Sequence, residues 1–312
     1  MIRLGIIGSV SNSVVHVNAL RELSEIELKG YYDPYTTTGE SYHPALKIQR
    51  FLSLEELFKN VDAVDLILTG IVQFSLAKTI IKKSKHLYIE NPTISYPDKV
   101  IELIKLAYEA NVVLKVGQRA CYKTAVATIK PSLNDSSYIE IQHHQVYDDS
   151  SDNWFFKSMA EDIDIVFDLV RSNVKNIKST PNFFPDNSFQ LINVRIEFTN
   201  KTLANLTWNS LSDKKRHMGR FVKAGSDISI DFIRNEIKTL SSTEKKSNQE
   251  TNRLLQVNKW MVEPDDPLFA EFVGFRNSII GNAISIVNPE EGFKSLLIIH
   301  DILKKAKEKA YL

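Results

Sequence analysis

The sequence predicts an α/β chain, with a doubly wound parallel sheet at the N-terminus and then an α+β domain built on an open, mostly antiparallel sheet. Three observations predict it. Short apolar runs alternate with helix-length amphipathic segments from the start to about residue 118. After that point strand-like segments succeed one another across short polar turns. The length, 312 residues, is enough for two domains that each bury a core.

The first strand is IRLGII, residues 2–7, a β-branched run too short for a helix. Gly8 and a Ser/Asn-rich loop follow, and VVHVNALREL carries Val14, Val17, Leu20 and Leu23 at helical spacing. IELKGYYD makes a second strand that ends at Asp33. Ser53 and Glu56 form a capping box that opens the short helix LEELFKN. VDAVDLIL (61–68) then runs as a strand into Thr69-Gly70. QFSLAKTIIKKS is a helix, HLYIE a strand, 95–111 a helix and VVLKV a strand. Strands joined by helices imply right-handed crossovers, hence a parallel sheet covered on both faces, and place the first domain at 1–118.

The second domain, 119–312, changes rhythm. SYIEIQHHQVY, SFQLINVRIEF, TLANLTWN, HMGRFVKA, DISIDFI and NEIKTLS read as strands, interrupted by a helical segment near 155–172. In QLINVRIEF the residues Ile192, Val194, Ile196 and Phe198 alternate with Asn193, Arg195 and Glu197, so one face is buried and the other is polar. The segment 241–252, SSTEKKSNQETN, predicts a mobile hairpin or loop. LFAEFVGFRNSIIGN and GFKSLLIIHDILKKAKEKA are closing helices.

Composition excludes several classes. Hydrophobic residues at 43% and charged residues at 25% are those of a soluble globular chain, and the net charge of +1 has its lysines interspersed with acids. Nucleic acid is therefore not an expected partner, and neither is a membrane. One cysteine, Cys121, cannot form an internal disulfide, and a strand directly follows Met1; a reducing cytoplasm is the expected location. His143 and His144 lie on an alternating strand, point to opposite faces and cannot share a metal ion, so no metal is expected. His16 reads as helix–sheet packing.

With these residues in place, the chain resembles the glucose-fructose oxidoreductase and inositol dehydrogenase family, Gfo/Idh/MocA. The landmarks fall in order: GIIG with His16 after it, YYDP, FLSLEELFKNVDAVDLILT, KHLYIENP and PEEGFKSLLIIHDILKKA. The resemblance implies a Rossmann-type domain binding NAD, a second domain for substrate and subunit contacts, hydride transfer to or from a sugar-like or other small polar substrate, and a homo-oligomer, dimer or tetramer.

Departures from the pattern fall on functional positions. A dinucleotide loop uses one glycine for the turn, one for close approach to the diphosphate and one for helix packing. Only Gly8 is present; Ser9 follows, Val10 takes the close-approach position, and Ser11, Asn12 and Ser13 complete the loop. Two readings stand: amides and hydroxyls that hold a phosphate, or side chains that cap their own helix. Asp33 is spaced to accept hydrogen bonds from an adenosine ribose, which favours NAD and leaves NADP open, or it starts a turn before Pro34. The family's carboxylate-Lys-Pro tripeptide, implied to bring an ammonium to the nicotinamide, reads Glu90-Asn91-Pro92; Asn91 orients substrate without titrating. Glu161 stands where the family has a histidine and Asp164 matches its aspartate; three residues apart, they share one helical face as candidate proton carriers, or serve as helix-start caps. Thr69, Glu90 and Pro92 join the cofactor candidates, and Gln118, Arg119 and Tyr122, after the last parallel strand, are the substrate candidates. Trp154, Phe155 and Phe156 are expected to pack the cleft between the domains. The same substitutions support an alternative, a catalytically inactive binding or regulatory protein on this fold.

Overall fold

The computed structural model describes residues 1–35, 42–43, 46–68, 71–90, 97–117, 123–133, 136–146, 151–247, 250–263, 266–281 and 289–310. By contact the chain divides into two compact units, Met1–Arg119 with Asp266–Leu297, and Ala120–Asp265 with Ile298–Leu312. The second domain drawn from the sequence thus contains a stretch, Asp266–Leu297, that packs with the first.

In the first unit the elements run β1 (Ile2–Ile7), α1 (Val10–Arg21), β2 (Ile26–Tyr32), β3 (Tyr42–His43), β4 (Ile48–Gln49), α2 (Leu54–Asn60), β5 (Ala63–Leu66), α3 (Ile71–Lys82), β6 (His86–Ile89), α4 (Pro97–Glu109) and β7 (Leu114–Val116). The main sheet has the order β2-β1-β5-β6-β7 and every pair in it is parallel. β1 lies between its sequence neighbour β2 and the later β5, so connections leave in opposite directions on either side of it, and ligands of such sheets bind at the carboxyl ends beside that reversal. Burial on both faces explains the continuous apolar runs: Leu4, Ile6, Ile7, Val64, Leu66, Leu87 and Ile89 are all buried. Ser53 caps α2 by accepting from the Glu56 amide at 3.1 Å, while Glu56 reaches back to the Leu52 amide at 3.0 Å.

The returning segment is held by its sequence. Asp266 caps α7 (Pro267–Ile280), its carboxylate accepting from the Leu268 amide at 2.9 Å, and Pro267 starts the helix where no amide is needed. Leu268, Phe272 and Phe275 then join Leu4, Ile6, Val17, Leu20 and Tyr88 in one core cluster. Each such side chain contributes about 1.5–3 kcal/mol by leaving water, which explains why a helix so late in the sequence belongs here.

The second unit contains α5 (Thr124–Leu133), β8 (Tyr138–Val146), α6 (Ser151–Leu169), β9 (Val174–Phe183), β10 (Phe189–Phe198), β11 (Leu203–Ser212), β12 (Arg216–Lys223), β13 (Ser226–Asp231), β14 (Glu236–Ser247) and β15 (Glu250–Met261); α8 (Pro289–Ala310) belongs to the first unit up to Leu297 and to the second from Ile298. The large sheet has the order β15-β14-β13-β12-β8-β11-β10-β9, antiparallel except for the parallel pair β8 and β11. Alternation on β10 is as read, with Ile192, Val194, Ile196 and Phe198 buried and Arg195 exposed. Phe155, Met159, Ile163 and Val166 give α6 a buried face, and the helix packs on β8, β10 and β11. Several elements went unread or differ, the short β3 and β4 and most of β15 among them. α5 carries Pro131 inside it, and β9 carries Pro181, which masks a strand signal and is tolerated because β9 is an edge strand. The segment 241–252 contributes to two long strands, paired from Glu236↔Met261 to Ser247↔Glu250, because its polar composition suits an exposed hairpin as well as a loop.

Candidate cofactor site and a buried carboxylate hub

At the carboxyl edge of the parallel sheet the Gly8 amide donates to the Tyr32 carbonyl at 3.1 Å. A Cβ on Gly8 would stand 3.0 Å from the Cβ of Ile67, so the loop needs its glycine for close packing. Ser9 takes the N-cap position of α1 in extended geometry, but its side chain makes no cap hydrogen bond. Ser13 closes the first turn instead: its amide and its hydroxyl both donate to the Ser9 carbonyl, at 3.1 and 2.8 Å. Val10 packs against the core cluster. Ser9 thus gives α1 no side-chain cap of the kind that Ser53 gives α2 and Asp266 gives α7, and amides at a helix N-terminus are the donor set an anion takes.

Asp33 is buried just past β2, where its Oδ1 accepts from the Tyr35 amide at 2.9 Å. That is the turn-starting role, and it leaves an acid at the position a ribose would meet. Glu90 follows β6. Its amide donates to the Leu66 carbonyl at 3.2 Å, and its carbonyl accepts from Gln73 Nε2 at 3.1 Å. Its side chain meets His16, which is more than packing. His16 Nδ1 lies 2.6 Å from Asp65 Oδ2 and Nε2 lies 2.9 Å from Glu90 Oε2. Burial would lower the imidazole pKa, but the Asp65 and Glu90 carboxylates outweigh it and raise it to about 9. Phe272 of α7 stands edge-on to the His16 ring at 5.6 Å and also packs on Tyr88. The Tyr88 hydroxyl donates to the buried Glu271, whose carbonyl accepts from Lys115 Nζ at 3.1 Å. Burial, partly offset by Glu271, lowers the pKa of Lys115.

Asn91, Pro92, Thr69, Gln118, Arg119, Tyr122 and the side chains of Ser11 and Asn12 lie outside the described residues. The groups that are described fit a dinucleotide: amide donors at the start of α1, where Ser9 makes no side-chain cap, and two carboxylate acceptors, Asp33 after β2 and Glu90 after β6.

In the second unit Glu161 is ion-paired with Lys123, and Asp164, one helical turn on, is buried. Phe155 is buried, edge-on to Trp154. Sequence reasoning passed over the residue between the two acids. Asp162 is fully buried, and its Oδ2 accepts from Trp208 Nε1 at 2.7 Å and meets His143 Nδ1 at 3.1 Å. Its Oδ1 meets His217 Nε2 at 2.7 Å. Trp208, His143 and His217 are register partners on β11, β8 and β12, so three adjacent strands present one row of N–H groups to one helix. The signal available was that row, each member at an inward position of its strand.

Burial pushes the Asp162 carboxyl up, but His217 and His143 hold it well below the usual carboxylate range. Two histidines and an aspartate, with donor atoms within 4.8 Å, have a metal site's composition. Their geometry differs. The His143 and His217 rings stack at 3.9 Å and 13°, so their lone pairs run in near-parallel planes, and the facing nitrogens are engaged by Asp162. The cluster is a hydrogen-bonded hub that ties α6 to the sheet.

Comparison with known proteins agrees with this fold. Residues 2–118 match the family GFO_IDH_MocA, described as "Oxidoreductase family, NAD-binding Rossmann fold". The UDP-N-acetylglucosamine 3-dehydrogenase of Acidithiobacillus ferrooxidans is 24% identical over 169 residues, 54% of this chain and 50% of that protein, so the match spans half the relative's length. A solved structure of that enzyme superposes with a TM-score of 0.81 at 17% identity, covering 98% of each chain. The dehydrogenase MviM of Clostridium difficile gives 0.80 at 19% identity, covering 97% of this chain and 99% of its own. At these identities the superpositions show a shared fold. Among the described residues no helix is long and apolar enough to cross a membrane.

Proposed function

We propose, for a chain whose residues 2–118 match the Gfo/Idh/MocA oxidoreductase family model, an NAD-linked oxidoreductase that acts on a hydroxyl-bearing carbon of a sugar-like or other small polar substrate. The observation that carries this reading is the set at the carboxyl edge of the parallel sheet. It comprises the first-turn amides of α1, where Ser9 makes no side-chain cap, the acid Asp33 after β2, and Glu90 held by His16 after β6. Amides at a helix N-terminus suit a diphosphate, and a carboxylate after β2 suits a ribose with a free 2′-hydroxyl while repelling a 2′-phosphate, which puts NAD ahead of NADP. The cofactor supplies the hydride acceptor. Asn91 orients the substrate hydroxyl, and its proton goes to Glu161, whose partner is Lys123, or to Asp164. Gln118, Arg119 and Tyr122 are the substrate contacts, and the enzyme works in a reducing cytoplasm as a homo-oligomer.

A second reading is a binding or regulatory protein on the same fold. The Lys123–Glu161 ion pair favours it, because an ion pair stands where the family has a titrating histidine. Fluorescence titration with NADH and NADPH, followed by a turnover screen on polyols and nucleotide sugars, separates the two. The redox reading expects NADH to bind more tightly than NADPH and at least one polyol or nucleotide sugar to turn over. Binding without turnover supports the second reading, and no binding at millimolar cofactor excludes the first.

A further inference from the structure

The array Asp65–His16–Glu90 runs from the core to the rim: the side chains are 0%, 1% and 14% exposed. Between two ionised carboxylates, the hydrogen-bond geometry suits a doubly protonated ring. A neutral imidazole has one N–H, so at 2.6 and 2.9 Å one of the two carboxylates would face a lone pair. Both contacts are donors only if the ring carries both protons. The raised pKa of His16 agrees with this. From α7 the ring facing His16 is Phe272, while Tyr88, Glu271 and Lys115 bond among themselves.

A buried charged triad is a costly way to join a helix to a sheet. Apolar side chains of similar volume pack as well or better, so such a triad points to a requirement other than stability. Its outer member is fixed twice over. Glu90 is tied through its backbone to Leu66 and Gln73 and through its side chain to His16, immediately before Asn91-Pro92.

We infer that His16 is the positioning residue of the cofactor site. It holds Glu90 as a rigid carboxylate, ready to accept from hydroxyl or amide donors of the dinucleotide's nicotinamide-ribose half. The inference rests on the functional reading above and adds to it one buried proton on which cofactor affinity depends.

The test is NADH titration from pH 7 to 10.5 on wild type, His16→Gln, Glu90→Gln and the double variant, with the His16 ring followed by 15N NMR. Wild-type affinity should be level up to about pH 9 and weaken above it as the ring deprotonates. His16→Gln should bind about tenfold or more weakly at pH 7.5 and lose the alkaline break. Glu90→Gln should weaken binding comparably and lower the ring's titration midpoint, and the double variant should be no worse than either single one, as expected of one unit. If His16→Gln lowers only the melting temperature and keeps wild-type affinity and pH profile, the inference is overturned and His16 is merely structural. Should His16→Gln not fold, Glu90→Gln decides alone, because unchanged affinity there is equally fatal. A wild type that binds neither dinucleotide removes the functional reading and this inference together; a binding wild type with indifferent variants removes only the inference.

Discussion

In the first unit one histidine lies between two carboxylates; in the second, one carboxylate lies between two histidines and an indole. Burial opposes charge in both, and in both the partners win, but the surplus partner decides which group keeps its charge. Surplus carboxylates hold the proton on His16, and surplus N–H donors hold it off Asp162. The arrays also end differently. The exposed end of the first is an acceptor, Glu90 at 14%, while that of the second is the His143 ring at 15%, stacked on His217 and flanked by Trp154. One array ends in a carboxylate held in place near its exposed end; the other locks three strands to a helix.

The hub should be the harder of the two to break. Asp162→Ala leaves two imidazoles and an indole N–H without their acceptor in the interior, and should cost about 3–5 kcal/mol in urea unfolding. An unchanged midpoint would mean the donors find other acceptors and the hub has no structural weight. Next in size is the pH response, where the two arrays should act from opposite ends. His16 has its folded pKa raised from 6.5 to about 9, so its contribution is fully present below pH 6.5 and lost progressively as pH rises to about 9. The difference in unfolding free energy between wild type and His16→Gln should shrink over that window by on the order of 3 kcal/mol. Asp162 is depressed, so its contribution is present above the ordinary carboxylate value of 3.8 and lost as pH falls below it. Hydrogen exchange resolved by residue should show the parallel sheet loosening first at high pH and the large sheet first at low pH. Simultaneous loosening at either end would contradict this assignment.

The sequence makes the two arrays unequally legible. The first lies on an ordered series of landmarks, and periodicity alone places His16 on α1, Glu90 at the end of β6 and Asp33 after β2. What periodicity cannot show is that Asp65, on a strand that is otherwise wholly apolar, turns toward His16; contact between residues 49 apart depends on the strand order. The second array was hidden for a similar reason. Asp162 sits between Glu161 and Asp164, the two acids that the sequence resemblance singles out, and its partners come from β8, β11 and β12, whose register no local pattern reveals. Composition concealed β9 and the 241–252 strands, because strands rich in lysine, serine or proline lack the apolar alternation that marks a buried one. α7 was visible as a helix but not as a member of the first unit, since its apolar face names no partner.

The smallest expected effect on stability is the most informative about chemistry. Lys123 and Glu161 form an ion pair outside the hub, each about a quarter exposed, and Glu161 adjoins Asp162 on α6. At that exposure solvent screens the pair, and Lys123→Met should change unfolding free energy by no more than about 1 kcal/mol. Asp162→Ala, one residue along the same helix from Glu161, is expected to cost several times more. If the pair carries the substrate proton, Lys123→Met should lower kcat about tenfold or more with NADH affinity unchanged, because Glu161 would lose its ion-pair partner. Turnover that survives the substitution would move the proton to Asp164, and a stability loss like that of Asp162→Ala would show that the pair belongs to the hub.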